Sequence, residues 1–353
     1  MPAIHESYKD DGDLAFVANV GPMVEPIATA EEFEAGARDE PPALFSHNVQ
    51  TVCAMNVHAQ DANADGVLGR IGDALDESFA AYSIFGEEPK VLEGAAGLRP
   101  VADILASFGV AGLADVARTL ESSIRALTSK VSTSIFSETY AERTISAIDR
   151  SYALDATLKA HELVNGRCEA LSQNRDLMDQ FEQVGRLIRG KDQLGSSRAV
   201  FHVQLDGFDT HSDNGPAFAA LASEFDEALD CFKKEMKAQG MWDSVVVVQA
   251  SEFGRTLTSN GQGTDHGWGG NSWVAGGSVK GGQIVGKFPS DITQDSPLSI
   301  DEMGRLIPTT SWESLWLGVA QWFGVSDDKM PSVLPNLANF PASEHITKAQ
   351  LFR

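Results

Sequence analysis

Basic residues are scarce in this 353-residue chain: 27 Lys and Arg stand against 50 Asp and Glu, a formal charge of −23. That imbalance argues against nucleic acid or an anionic membrane as the main partner, because both require basic surface. Cysteine is scarce too. Cys53, Cys168 and Cys231 are odd in number and share no close spacing, which implies neither a disulfide framework nor a zinc knuckle. Cys231 is expected in the core. No apolar run approaches the roughly 18 residues of a membrane span. The amino terminus has neither the basic region nor the apolar stretch of a signal peptide. There is no internal repeat, low-complexity tract or Pro/Ser linker, so one domain over 1–353 is expected, with a helical segment at about 72–195. What remains, 42% hydrophobic and 22% charged, is ordinary for a globular chain that buries a substantial core.

The informative stretch is 198–270. Val200 to Leu205 reads as a strand, and Asp206-Gly-Phe-Asp209-Thr-His211 follows it. Asn214 and Pro216 then suit the start of a helix. Phe218, Leu221, Phe225, Leu229, Phe232 and Met236 recur every three or four residues on one face, and Gly240 marks the stop. Val245 to Val248 is a β-branched run of the kind found in buried parallel strands. It leads into Ser251-Glu252-Phe253-Gly254-Arg255-Thr256 and then Gly263-Thr-Asp265-His266-Gly267. Strand, helix and strand form a βαβ unit with a right-handed crossover. If 198–205 and 245–250 share one sheet, both loops leave the same edge, where ligands collect in open α/β sheets.

Asp209, His211, Glu252, Asp265 and His266 are then within reach of one another. Carboxylates and imidazoles together suit zinc, manganese or iron, or calcium where oxygens dominate. The structural alternative is that the acids bond their own turns and the histidines are satisfied pairs. Arg255 offers a bidentate fork to an anion, or a salt bridge to Glu252 or another acid. Upstream, Leu44-Phe-Ser46-His47-Asn48 precedes an expected helix over 47–54. Ser46 there is either a nucleophile activated by a helix dipole and a metal, or a plain N-cap. His47 could serve as acid, base or ligand.

Elsewhere, Leu14 to Val20 reads as a buried strand ending at Gly21-Pro22, and 22–43 as a loop with one short helix. Gly66-Val-Leu-Gly-Arg70 opens a helix expected to reach about Ala81. Thr310 and Glu313 suggest a capping box for a helix ending at Phe323, with Leu315, Val319 and Trp322 facing the core. The glycines of 261–277 mark a backbone-dense loop.

Several blocks carry a resemblance. Gly207-Phe-Asp-Thr-His211, Ser251-Glu-Phe-Gly-Arg-Thr256 and Gly263-Thr-Asp-His-Gly267 resemble the signatures of the domain-of-unknown-function 1501 family. Gly12 to Gly21, Leu44 to Asn48, Gly66 to Arg70, Gly276 to Gly282, Ile307 to Thr310 and Pro335 to Phe340 agree with it. That family resembles the alkaline phosphatase and sulfatase superfamily. The resemblance implies an alkaline-phosphatase-like α/β fold, with a mostly parallel sheet sandwiched by helices. It also implies a hydrolase of phosphate or sulfate esters acting on a small anionic ester. Asp209, His211, Asp265 and His266 would ligate a divalent metal, with Glu252 a further candidate. Zinc is the first choice, with calcium, manganese or magnesium as alternatives. Ser46 and Arg255 would be catalytic. The family's earlier strand, whose Gly-Gly-x-Asp block supplies a ligand, has no counterpart in this sequence, which implies a fragment or a missing ligand. Members often carry an export signal, which implies a periplasmic or extracellular setting. A non-catalytic metal-binding protein on the same scaffold is the rival reading, and a cofactor-independent mutase or lyase a third.

Overall fold

The computed structural model describes residues 1–75, 79–85, 89–95, 113–130, 132–170, 174–293 and 295–353. Its elements run in order α1 (Pro2–Lys9), β1 (Leu14–Gly21), α2 (Ala30–Glu34), α3 (His47–Asn56), α4 (Val67–Ala74) and β2 (Phe79–Ser83). Helices α5 (Leu113–Thr128), α6 (Ile135–Ala160), α7 (Asp176–Arg189) and α8 (Lys191–Leu194) follow. The site-bearing half holds β3 (Arg198–His202), α9 (Asn214–Ala238), β4 (Val247–Gln249), β5 (Arg255–Ser259) and β6 (Thr264–His266). Then come β7 (Gly270–Ala275), β8 (Ile284–Gly286), β9 (Thr310–Ser311) and α10 (Trp312–Phe323). Residues 96–112 of the expected helical segment lie outside the described residues. No helix among the described residues is long and apolar enough to cross a membrane.

The fold is α/β, but the sheet is mixed rather than mostly parallel. Its hydrogen-bonded order is β4-β7-β1-β8, with β9 also pairing β1. Strand β7 runs antiparallel to both β1 and β4, while β8 and β9 run parallel to β1. An apolar run reports burial on both faces; it does not report the direction of its neighbour. Strand β1 shows this, buried along nearly its whole length. Ala15 and Val17 face a core with Leu315, Trp316 and Val319 of α10. Leu14 and Phe16 face the opposite core, with Phe181 of α7 and Leu229, Phe232 and Met236 of α9. Helices therefore do cover both faces of the sheet.

The βαβ expectation fails in one respect. Strand β3 pairs in parallel with β2 in a separate two-stranded sheet, so 198–205 and 245–250 do not share a ladder. The ladder of β4 is taken by β7, with Val247 opposite Ala275, Val248 opposite Val274 and Gln249 opposite Trp273. The two loops therefore do not leave one sheet edge, and their convergence comes from their own packing. Two smaller corrections follow. Helix α4, expected to reach about Ala81, stops at Ala74, and Phe79–Ser83 is strand. The cap of α10 is Ser311, whose hydroxyl accepts from the Ser314 N–H at 3.0 Å.

The cysteine reading is also overturned. Cys168 and Cys231 form a disulfide with their Cα atoms 6.3 Å apart, and Cys53 is a buried free thiol. Sixty-three residues separate the pair, so spacing carried no sign of it. The pairing arises because the segment before α7 lies against α9: Glu235 of α9 accepts from the Val164 and Asn165 N–H groups at 2.8 and 2.9 Å.

Glu313 in the first turn of α10 is buried, and among the described residues no hydrogen bond reaches its Oε2. Burial pushes its carboxyl up to about 8, against the opposing pull of backbone N–H, Asn336 and Arg70. The folded state thus holds this proton more tightly than the unfolded chain, whose value is near 4.5. The associated stability is complete below that value and is lost as pH rises through about 8, by at most about 1.4 kcal/mol per pH unit. Glu313→Gln should flatten that loss in urea midpoints measured at pH 5 and pH 8. An equal decline in variant and parent would refute the assignment.

Candidate metal centre

Three segments build the site, each held by local chemistry. The first is the turn ahead of α3, where Ala43 and Phe45 have φ of 47° and 69°. Left-handed backbone is costly for a residue with a Cβ, and such strain concentrates at functional sites. Here it is held by Gln50, whose Oε1 accepts from the Phe45 N–H at 2.6 Å. The turn aims the Phe45 carbonyl at His266 and delivers Ser46 and His47 to the head of α3.

The second is the loop after β3, carrying Asp209 and His211. The third is the β5–β6 hairpin, whose antiparallel register sets Arg255 opposite His266. The hairpin packs so closely on the second segment that a Cβ at Gly263 would lie 2.3 Å from the Thr210 carbonyl oxygen. The Thr264 N–H donates to that oxygen at 3.2 Å, and Asn260 Nδ2 donates to the His211 carbonyl at 3.2 Å. Just beyond His266, Trp268 is fully buried and its indole N–H donates to the Pro22 carbonyl at 2.9 Å.

With Glu252 and Phe253 of the loop between β4 and β5, these segments bring the groups of the site together. His47 Nδ1 lies 2.9 Å from Glu252 Oε1, His211 Nδ1 2.9 Å from Asp265 Oδ1, and His266 Nδ1 2.8 Å from the Phe45 carbonyl oxygen. Each partner is a carboxylate or a carbonyl, which only accepts, so each of these bonds needs a proton on Nδ1; the Asp209 carboxylate facing each Nε2 also only accepts, and an ion held at Nε2 would fix the proton at Nδ1. All three Nε2 atoms then turn inward to Asp209. His211 and His266 Nε2 are 2.9 and 3.0 Å from Oδ1, and His47 Nε2 is 3.2 Å from Oδ2. His211 Nε2 and His266 Nε2 are themselves only 3.0 Å apart. Two imidazole lone pairs at that separation repel unless a proton or a cation lies between them.

The Arg255 guanidinium donates through Nη1 to Asp209 Oδ1 at 2.7 Å, through Nε to Thr264 Oγ1 at 3.1 Å, and through Nη2 to the Thr264 carbonyl. It pairs with Asp209, not with Glu252. Burial disfavours the Asp209 carboxylate, yet Arg255, His47 and His266 outweigh that and hold it at about 2. His47 shows the converse. Burial works against its protonation, but the Glu252 and Asp209 carboxylates together raise its pKa above the ordinary value. Asp265 is held below the usual carboxylate range by His211 and Asn260. Phe253 closes one side, its ring stacked on His266 at 4.2 Å and against His47 at 4.9 Å. Side-chain exposures of 45% for His47 and 43% for Asp209 leave the centre open to a ligand from solvent.

Among the described residues, His47, Asp209 and His266 offer ligand atoms all within 4.8 Å of one another. His211 Nε2 joins them at the distances given above. Ligands about 2 Å from one ion stand roughly 3–4 Å apart, so the donor set fits a metal after small adjustments. Glu252 and Asp265, expected as ligands, lie behind the imidazoles as acceptors for Nδ1, a placement that orients metal-binding histidines. His47, a lesser candidate from sequence, sits at the centre, and its signal was the Leu44–Asn48 block. Ser46 is the N-cap of α3, with no cap hydrogen bond from its side chain, between Phe45 and His47. Arg305 went unnoticed. It donates to the His266 carbonyl at 2.7 Å, lies 4.7 Å over the Phe45 ring, and forms an ion pair with Asp301.

Fold and site together define an α/β protein with a histidine–carboxylate cluster assembled by loops beside a mixed sheet. The chain belongs to the family described as protein of unknown function (DUF1501), which matches residues 111–306. That span includes Asp209, His211, Glu252, Arg255, Asp265 and His266, and leaves Ser46 and His47 outside it. No curated protein and no solved structure matches the chain.

Proposed function

We propose that the protein is a metal-dependent hydrolase of phosphate or sulfate esters, on a scaffold of the alkaline phosphatase and sulfatase kind. The observation that carries the reading is the set of three imidazoles with Nδ1 committed outward and Nε2 turned onto Asp209. His47, His211, His266 and Asp209 would hold the ion. Three nitrogens and one carboxylate suit zinc, whereas calcium and magnesium prefer shells of oxygen. When bound, the ion supplies Lewis acidity toward an ester oxygen and offsets charge on the leaving group. Glu252, Asp265 and the Phe45 carbonyl keep the imidazoles oriented. Arg255 offers its guanidinium to the anionic group, and the Ser46 hydroxyl stands at the helix start as the candidate nucleophile. The Cys168–Cys231 disulfide supports maturation in an oxidising compartment.

One feature favours the rival, a non-catalytic metal-binding protein: four protein donors fill a tetrahedral shell, as in closed structural sites. Zinc-loaded protein assayed on aryl phosphate, aryl sulfate and phosphodiester substrates separates the two. Hydrolysis of one class supports the enzyme, and stoichiometric zinc with no turnover favours the rival. Ser46→Ala should then cut turnover by roughly a thousandfold or more, the scale for a lost nucleophile, with metal content unchanged. Retained turnover would remove Ser46 from the chemistry.

A further inference from the structure

We infer that Arg255 and the metal ion compete for Asp209, so that metal binding frees the Arg255 guanidinium to take an anion. The inference rests on the metal centre proposed above and adds a regulatory coupling to it. One atom carries the argument. Asp209 Oδ1 accepts from Arg255 Nη1 at 2.7 Å, and the same oxygen faces His211 and His266 Nε2 at 2.9 and 3.0 Å. An ion held by those two imidazoles would bind that oxygen. A divalent ion and a guanidinium sharing one oxygen repel strongly in a partly buried site. One carboxylate charge can offset one of them, but not both.

The guanidinium is also tethered. Nε bonds to Thr264 Oγ1 at 3.1 Å and Nη2 to the Thr264 carbonyl, so only the Nη1 edge answers to Asp209. Losing that contact leaves Arg255 in place beside the centre with its Nη1 edge free, which suits a tetrahedral oxyanion such as sulfate or phosphate. The anion in turn offsets the charge that the ion and the guanidinium bring together. Because coupling between two ligands is reciprocal, an anion that uses Arg255 must also tighten metal binding.

The test is zinc affinity of metal-stripped protein, by competition with a chromophoric chelator, with and without inorganic sulfate at constant ionic strength. The parent should bind zinc more tightly with sulfate present. Arg255→Gln removes the competitor, so it should bind zinc roughly tenfold more tightly than the parent without sulfate, within the usual range of coupling. Its affinity should no longer respond to sulfate. Arg255→Lys keeps a cation beside Asp209 and should show no such gain, which guards against a trivial effect of altered folding. Zinc binding by Arg255→Gln that is no tighter than the parent's, or that still responds to sulfate, overturns the coupling while leaving the metal centre standing. A parent that binds no zinc defeats both.

Discussion

His47→Ala should strip the protein of its metal and lower its thermal stability in the same step. The variant loses one of the converging Nε2 donors and leaves Glu252 without the imidazole it bonds at 2.9 Å. Metal binding to the folded state alone stabilises it by about 4 kcal/mol when the free ion stands a thousandfold above its Kd. A variant that no longer binds the ion forgoes that gain. Melting curves with and without added zinc should therefore separate for the parent and coincide for His47→Ala. His266→Ala should behave likewise. His5→Ala on α1, remote from the cluster in the chain and solvent-exposed, serves as the control and should keep the parent's response. Equal zinc content in His47→Ala and parent would remove His47 from the centre.

The second large effect concerns the disulfide. Replacing Cys168 and Cys231 by Ser opens a loop whose ends are 63 residues apart. Loop-closure entropy for that length gives about 4 kcal/mol of lost stability, and measured losses for native disulfides commonly run 2–4. The segment keeps other ties. Glu182 accepts from the Cys168 N–H at 3.1 Å and Arg175 donates to the Cys168 carbonyl at 2.6 Å. The double variant should therefore fold, with a lower denaturant midpoint, while a reductant lowers the parent to match and leaves the variant unchanged. A parent insensitive to reductant would contradict the role given to the bond.

The parts legible in sequence are those set by local pattern. Helix α9 followed from Phe218 to Met236 at helical spacing, and β1 from a run, apolar but for Asn19, before Gly21-Pro22. The two loop motifs were legible because glycines beside Asp and His mark backbone packed closely, as Gly263 against Thr210 shows. What stayed hidden is non-local. Whether β4 pairs with β3 or with β7 depends on a strand 20 residues downstream, and its own side chains report only that it is covered. The disulfide depends on α9 meeting the segment before α7. Which acids touch an ion and which stand behind a histidine depends on the nitrogen each imidazole turns inward, a torsion with no trace in the sequence. For that reason Asp265 and Glu252 ranked above His47 in the sequence and below it in the structure.

The most direct test of the metal centre is the zinc K-edge X-ray absorption spectrum of protein loaded with one equivalent of zinc. The structure predicts three imidazole nitrogens and one carboxylate oxygen at about 2.0–2.1 Å, with no sulfur. A shell of oxygens with fewer than two imidazoles, or zinc lost on simple gel filtration, would contradict it.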